Sequence, residues 1–137
     1  MKKRPTFDVI IVGGGLAGLT SAIHLSKQNK EVLLVEKNEY PKHKVCGEYI
    51  SNEVLPYLNS LGIYPLSEGA KQITKVHIST IKSNLIKGEL PLGGFGMSRY
   101  FLDDLLVKKA RSNGVKILKD TVDSIQFKKD SFTILTK

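Results

Sequence analysis

The feature that most constrains this chain is the run FDVIIVGGGLAGLTSAIHL at residues 7–25. An apolar, β-branched stretch runs into Gly13, Gly14 and Gly15, and a small-residue helical pattern containing Gly18 follows. Glycine gives up more conformational freedom on folding than any other residue. A cluster of glycines at the handover therefore implies a backbone geometry or a close approach that needs them. Residues 7–12 predict a buried strand. Residues 15 to about 28 predict a helix with Leu16, Leu19, Ala22, Ile23 and Ser26 on one face, and Asn29 stops it. Residues 31–36, EVLLVE, predict a second buried strand. The three elements form a β-α-β unit with parallel strands and a right-handed crossover.

Gly13, Gly15 and Gly18 satisfy G-x-G-x-x-G, and Glu36 lies 23 residues beyond Gly13 at the end of the second strand. A strand before the glycines, a helix after them and an acid at that distance define a dinucleotide-binding fingerprint. Gly13 permits the tight turn, Gly15 lets a pyrophosphate approach the backbone, and Gly18 lets helix and strand pack closely. The free N–H groups and positive end of the helix suit phosphate. An ionised Glu36 accepts hydrogen bonds from ribose hydroxyls and repels a 2′-phosphate, which disfavours NADP. The alternative reading is glycines that serve close packing alone.

Further along, residues 38–50 predict an extended loop. Ser51 caps a helix to Leu61, with Pro56 a weak point and Gly62 the stop. Residues 73–80 and 84–90 predict short strands, and LPLGGFGMS at 90–98 predicts a loop. Ser98 caps a third helix to about Asn113, with Leu102, Leu105, Leu106 and Ala110 as its apolar stripe and Gly114 as its end. Residues 115–118 predict a strand, and residues 121–127 and 131–136 a hairpin.

A length of 137 residues suits one domain, and 41% hydrophobic with 25% charged residues argues against disorder. The single cysteine, Cys46, excludes an internal disulfide and fits a reducing compartment. No signal-peptide core follows the basic start, and no apolar run is long enough to span a membrane. The expected location is cytoplasmic. A net charge of +8 favours anionic partners. The bases are scattered, however, over Lys2, Lys3 and Arg4, Lys42 and Lys44, Lys108, Lys109 and Arg111, and Lys128 and Lys129. They are not interleaved with aromatics, so no nucleic-acid partner is expected. His24, His43 and His77 lack acid partners, and no metal-ligand or Ser-His-Asp pattern exists, so no metal is expected.

FDVIIVGGGLAGLTSAIHL, then EVLLVEK, YPKHKVCGEYIS and GMSRYFLDDLLVKKARSNGVKI, resemble in order the start of an FAD-dependent oxidoreductase. The subgroup they resemble contains p-hydroxybenzoate hydroxylase-like monooxygenases and geranylgeranyl reductase-like enzymes. The resemblance covers nearly the whole chain; the Cys-Gly-Glu and Ser-Arg-x-x-Leu-Asp-x-x-Leu segments narrow it to that subgroup. It implies an α/β, Rossmann-like FAD/NAD(P)-binding domain over residues 1–137. That domain has a parallel sheet and a β-hairpin or meander. Residues 65–97 would be an incomplete substrate-side insertion, the start of a second β-sheet. FAD is the implied cofactor and NAD(P)H its reductant, with a small-molecule or lipid-like substrate and room for a peripheral membrane contact.

By the same resemblance, Gly13, Gly15 and Gly18 hold the FAD pyrophosphate. Glu36 binds the adenosine ribose, with Lys37 beside it. Lys44, Cys46 and Gly47 lie in a loop passing near the flavin and its phosphates, Arg99 faces the cofactor, and the backbone of Val122 touches adenine. Arg99 has independent support: a cation in the first turn of a helix opposes the dipole, and a nearby anion removes the conflict. Cys46 is equally readable as a plain structural cysteine.

Family members are considerably longer, carrying Ala-Asp-Gly and Gly-Asp segments beyond this point. The chain is therefore expected to be an N-terminal fragment, a deliberately shortened chain or the product of an interrupted gene, binding FAD weakly with little or no turnover. The implied reaction is double-bond reduction or hydroxylation, with the Cys-Gly-Glu loop leaning to reduction. The lack of tryptophan removes the tryptophan-rich motif of flavin halogenases. Competing readings are a non-catalytic adenine-dinucleotide-binding module, an NAD-dependent Rossmann dehydrogenase, and a basic nucleic-acid or membrane-surface binder.

Overall fold

Strand β1 (Val9–Val12), helix α1 (Leu16–Lys27) and strand β2 (Val32–Glu36) form as the glycine spacing predicts, in a computed structural model that describes residues 5–137. The basic residues Lys2, Lys3 and Arg4 lie outside the described residues. The two strands are parallel, with Val9 opposite Val32 and Val12 opposite Val35. A third parallel strand (Lys116–Lys119) adds to the far side of β2, so β2 is central. This position explains one difference from expectation. β2 is buried, whereas β1, at the sheet edge, is only partly covered, and Val12 stays half exposed. Helix α1 packs on β2, burying Leu19, Ala22 and Ile23. Asn29 ends its connection in the left-handed region at φ 60°, a conformation asparagine tolerates.

In chain order the remaining elements are β3 (Tyr49–Ser51), a one-turn 3₁₀ helix (Asn52–Val54), α2 (Leu55–Ser60), β4 (Lys71–Ser79), β5 (Leu85–Gly96) and α3 (Arg99–Ser112). Then come β6, the Lys116–Lys119 strand already described, β7 (Val122–Lys128) and β8 (Ser131–Thr136). Contacts divide the chain into two compact units: Met1–Lys42 with Asp103–Lys137, and His43–Leu102.

The first unit holds the parallel sheet and the β7–β8 hairpin. Lys129 and Asp130 turn that hairpin with φ of 50° and 55°. Two consecutive left-handed residues match the twist of paired strands. Its buried side chains include Leu34, Val35, Leu106, Val107, Ala110 and Val115.

The second unit holds an antiparallel sheet of order β3-β5-β4, with Phe95 fully buried on its central strand. Three expectations are corrected here. The segment 38–50 is not wholly a loop, because Tyr49–Ser51 pairs with Gly94–Gly96. LPLGGFGMS is not a loop either. Its residues 94–96 are paired on both sides, to β3 and to Lys71, Gln72 and Ile73 of β4. Its turn-like composition is absorbed in a bulge. Pairing jumps from Glu89 to Gly94 on β5 while β4 advances only from Lys75 to Ile73, which leaves Pro91 out of the ladder. Proline has no N–H to contribute there. Pro56 is no weak point: it sits in the first turn of α2, where its missing N–H has no helical partner to lose. Ser51 still caps the start, accepting from the Glu53 N–H at 3.4 Å.

Helix α3 begins after Ser98, whose hydroxyl accepts from the Phe101 N–H at 3.3 Å. It closes with Val115 N–H donating to Ala110 C=O at 3.0 Å while Gly114 takes φ 84°. On its stripe Leu102, Leu106 and Ala110 are buried, Leu105 is partly covered, and Val107 joins them.

Candidate dinucleotide-binding site

The glycine turn is built by backbone demands that the motif spacing encodes. Gly13 has φ 101°, outside the range of ordinary L-residues, and its N–H donates to Val35 C=O at 2.8 Å. A Cβ at Gly18 would overlap the Gly13 carbonyl, so α1 can approach β1 this closely only with glycine there. Gly15 differs from both. Its backbone is ordinary (φ −80°, ψ −171°), and a Cβ on it would meet no protein atom within 4 Å. Gly15 caps α1 without any side-chain hydrogen bond, and no acid lies in the first turn. Among the described residues the positive end of α1 thus carries no side-chain cap and no acid, a setting that suits an anion. These residues fit the pyrophosphate of a dinucleotide.

Glu36 closes the turn from the end of β2. Its Oε2 accepts from the Gly14 N–H at 2.8 Å. Its Oε1 accepts from the Asn38 N–H and side-chain amide, both at 2.9 Å, and pairs with Lys42 Nζ at 2.7 Å. Burial opposes ionisation of this carboxyl. The Lys42 hydrogen bond, the Asn38 and Gly14 N–H groups and the Lys42 charge together outweigh burial, and hold its pKa at about 2.

Tyr40 holds the same residue through its other backbone group, its hydroxyl donating to Gly14 C=O at 2.5 Å. A Cβ at Gly14 would overlap that hydroxyl, which gives the middle glycine of the run its own reason. Burial, then the charges of Glu36 and Asp103, push the Tyr40 hydroxyl upward, with Arg111 partly opposing. It therefore stays a donor across the physiological range. Asp103, on α3, is fully buried and engaged.

The structure brings Gly13, Gly15, Gly18 and Glu36 together in the first unit. Lys37 lies exposed just beyond β2, and Val122, partly covered, opens β7 opposite Thr136. Lys44, Cys46, Gly47 and Arg99 belong to the second unit. There Lys44, Cys46 and Gly47 are exposed, and Cys46 Sγ accepts from the Glu48 N–H at 3.4 Å. Arg99 is half-buried at the start of α3 and is engaged. His43 stacks on Tyr100 with ring centroids 4.6 Å apart.

Sequence reasoning missed Gly14, Asn38, Tyr40 and Lys42. One signal could have found them. A glycine at the free position of G-x-G leaves room for a foreign group, and polar side chains follow Glu36 within six residues.

Comparison with known proteins agrees with this geometry. The FAD dependent oxidoreductase family matches residues 8–48. A flavin-dependent brominase of known structure superposes with a TM-score of 0.80 at 24% identity, over 96% of this chain and 34% of that one. This is the dinucleotide-binding fold of the FAD-dependent oxidoreductases. An uncharacterized protein of Methanosarcina barkeri is 31% identical over 99% of the chain and 34% of its own length. A tryptophan 2-halogenase of Chondromyces crocatus is 30% identical over 81% and 22%. A digeranylgeranylglycerophospholipid reductase of Sulfolobus acidocaldarius is 28% identical over 84% and 25%. The chain spans about a third or less of the length of these curated relatives. Halogenases stand among them beside reductases, so the missing tryptophan does not separate this chain from that branch.

Proposed function

We propose that the first unit binds the adenosine–pyrophosphate half of FAD, as part of an oxidoreductase whose flavin NAD(P)H reduces. The observation that carries this reading is the uncapped start of α1 beside Gly15, where the turn is held open and no protein atom fills the space. A bound flavin supplies hydride-transfer or oxygen-activating chemistry; the residues of this chain bind and orient it. The N–H groups opening α1 hold the pyrophosphate, and Glu36 takes a ribose hydroxyl. Lys37 and Val122 flank the adenosine. Lys44, Cys46, Gly47 and Arg99 serve the flavin end. The substrate class is a small organic or lipid-like molecule that is reduced at a double bond or hydroxylated. The reductase relative supports the first reaction, and residues 65–97 are the start of the substrate-side sheet.

Titrating the chain with FAD, FMN and NAD, followed by flavin fluorescence and calorimetry, tests the reading. FAD should bind and FMN, which lacks the adenosine half, should not. Binding of NAD with no preference for FAD would overturn it.

A further inference from the structure

The Glu36 carboxylate meets the ribose position already crowded. A carboxylate offers about four lone-pair sites over two oxygens. Here Oε1 holds three donors, the Asn38 N–H, the Asn38 amide and Lys42 Nζ, while Oε2 holds the Gly14 N–H. The two Asn38 donors and Gly14 are fixed by the turn itself. Lys42 alone reaches the carboxylate on a long, flexible stem, from a side chain 21% exposed against 8% for Glu36. The pair is also electrically neutral, so the repulsion that an isolated Glu36 would exert on a 2′-phosphate is cancelled at its source.

We propose that Lys42 determines specificity at the adenosine ribose. It is the cation that makes a 2′-phosphate acceptable beside Glu36, while Oε2, with one described donor on it, keeps room for a ribose hydroxyl. The proposal rests on the dinucleotide reading above and deepens it. It replaces the sequence-based expectation that Glu36 excludes a 2′-phosphate.

Calorimetry with two probes that differ only at the 2′ position, 5′-ADP and 2′-phosphoadenosine 5′-diphosphate, on the full chain and on Lys42→Met tests it. Circular dichroism checks each fold. Lys42→Gln repeats the charge removal with a hydrogen-bonding side chain, should Met disturb the turn. The wild type should bind the two probes within about threefold of each other. With Oε2 open in both proteins, 5′-ADP should change by less than about threefold in the Met variant. The 2′-phosphorylated probe, facing an uncompensated carboxylate, should weaken about tenfold or more. Lys42→Arg should keep the wild-type ratio. A ratio unchanged in both neutral variants overturns the role of Lys42 while leaving the site intact. Absence of 5′-ADP binding to every form overturns the dinucleotide reading, and this proposal with it.

Discussion

The glycine turn of the first unit and the β4–β5 hairpin of the second hold their shapes by opposite means. At the turn, both backbone polar groups of Gly14 are bound by side chains, Glu36 and Tyr40, and neighbouring backbone atoms leave no room for a Cβ at Gly18. Along the hairpin, backbone pairing does the holding. Ile78 and Ile86 sit opposite each other and mostly exposed, and the one ion pair described across the strands, Lys75 with Glu89, spans 3.9 Å between exposed groups. The turn is fixed by specific contacts at Gly13, Gly14 and Gly18, whereas the hairpin is fixed by its ladder. Substitutions should therefore be felt strongly in one region and hardly in the other.

The sharpest contrast comes from Gly18→Val. Forcing a side chain into the Gly13 carbonyl should destabilise the fold by about 3 kcal/mol, read from urea denaturation midpoints. Next is Glu36. Its pKa falls from an ordinary 4.5 to about 2 on folding. A depressed carboxyl contributes stability in full above the unfolded value and loses it as pH falls through the folded one. A contribution of about 2–3 kcal/mol should thus vanish between pH 4.5 and about 2. Glu36→Gln should be destabilised by a similar amount at neutral pH and lack that part of the acid slope. Tyr40→Phe keeps the ring and loses only the bond to Gly14, a change of about 1 kcal/mol. At the far end, Ile86→Thr on the hairpin should stay within about 0.5 kcal/mol of wild type. A large loss there would show that the hairpin depends on its side chains after all.

The same contrast explains what could be read from the sequence. The β1-α1-β2 unit was legible because its signals are local: a strand pattern, glycines at fixed offsets and an acid at the end of β2. Helix α3 was legible from Ser98 and Gly114. The ends of β3 and β5 were not. Gly94, Phe95 and Gly96 become strand through partners on both sides, Tyr49–Ser51 and Lys71–Ile73, which glycine-rich composition cannot announce. The depth of β1 was misjudged because an edge strand and a central one carry the same apolar run. Gly13, Gly15, Gly18 and Glu36 were assembled as expected. Tyr40 was missed because its role exists only after the turn brings residues 26 apart into contact, and Lys42 because it follows β2 in an extended stretch with no periodicity to aim its side chain at Glu36.

Gly15 separates folding from binding, and so tests the central claim most directly. The Cβ of a valine there meets no described atom within 4 Å, so the Gly15→Val variant should fold with stability within about 1 kcal/mol of wild type, the scale of an altered helix cap. The account predicts that wild type binds FAD in a calorimetric titration and that this stable variant does not. Equal FAD affinity in the two proteins would contradict it.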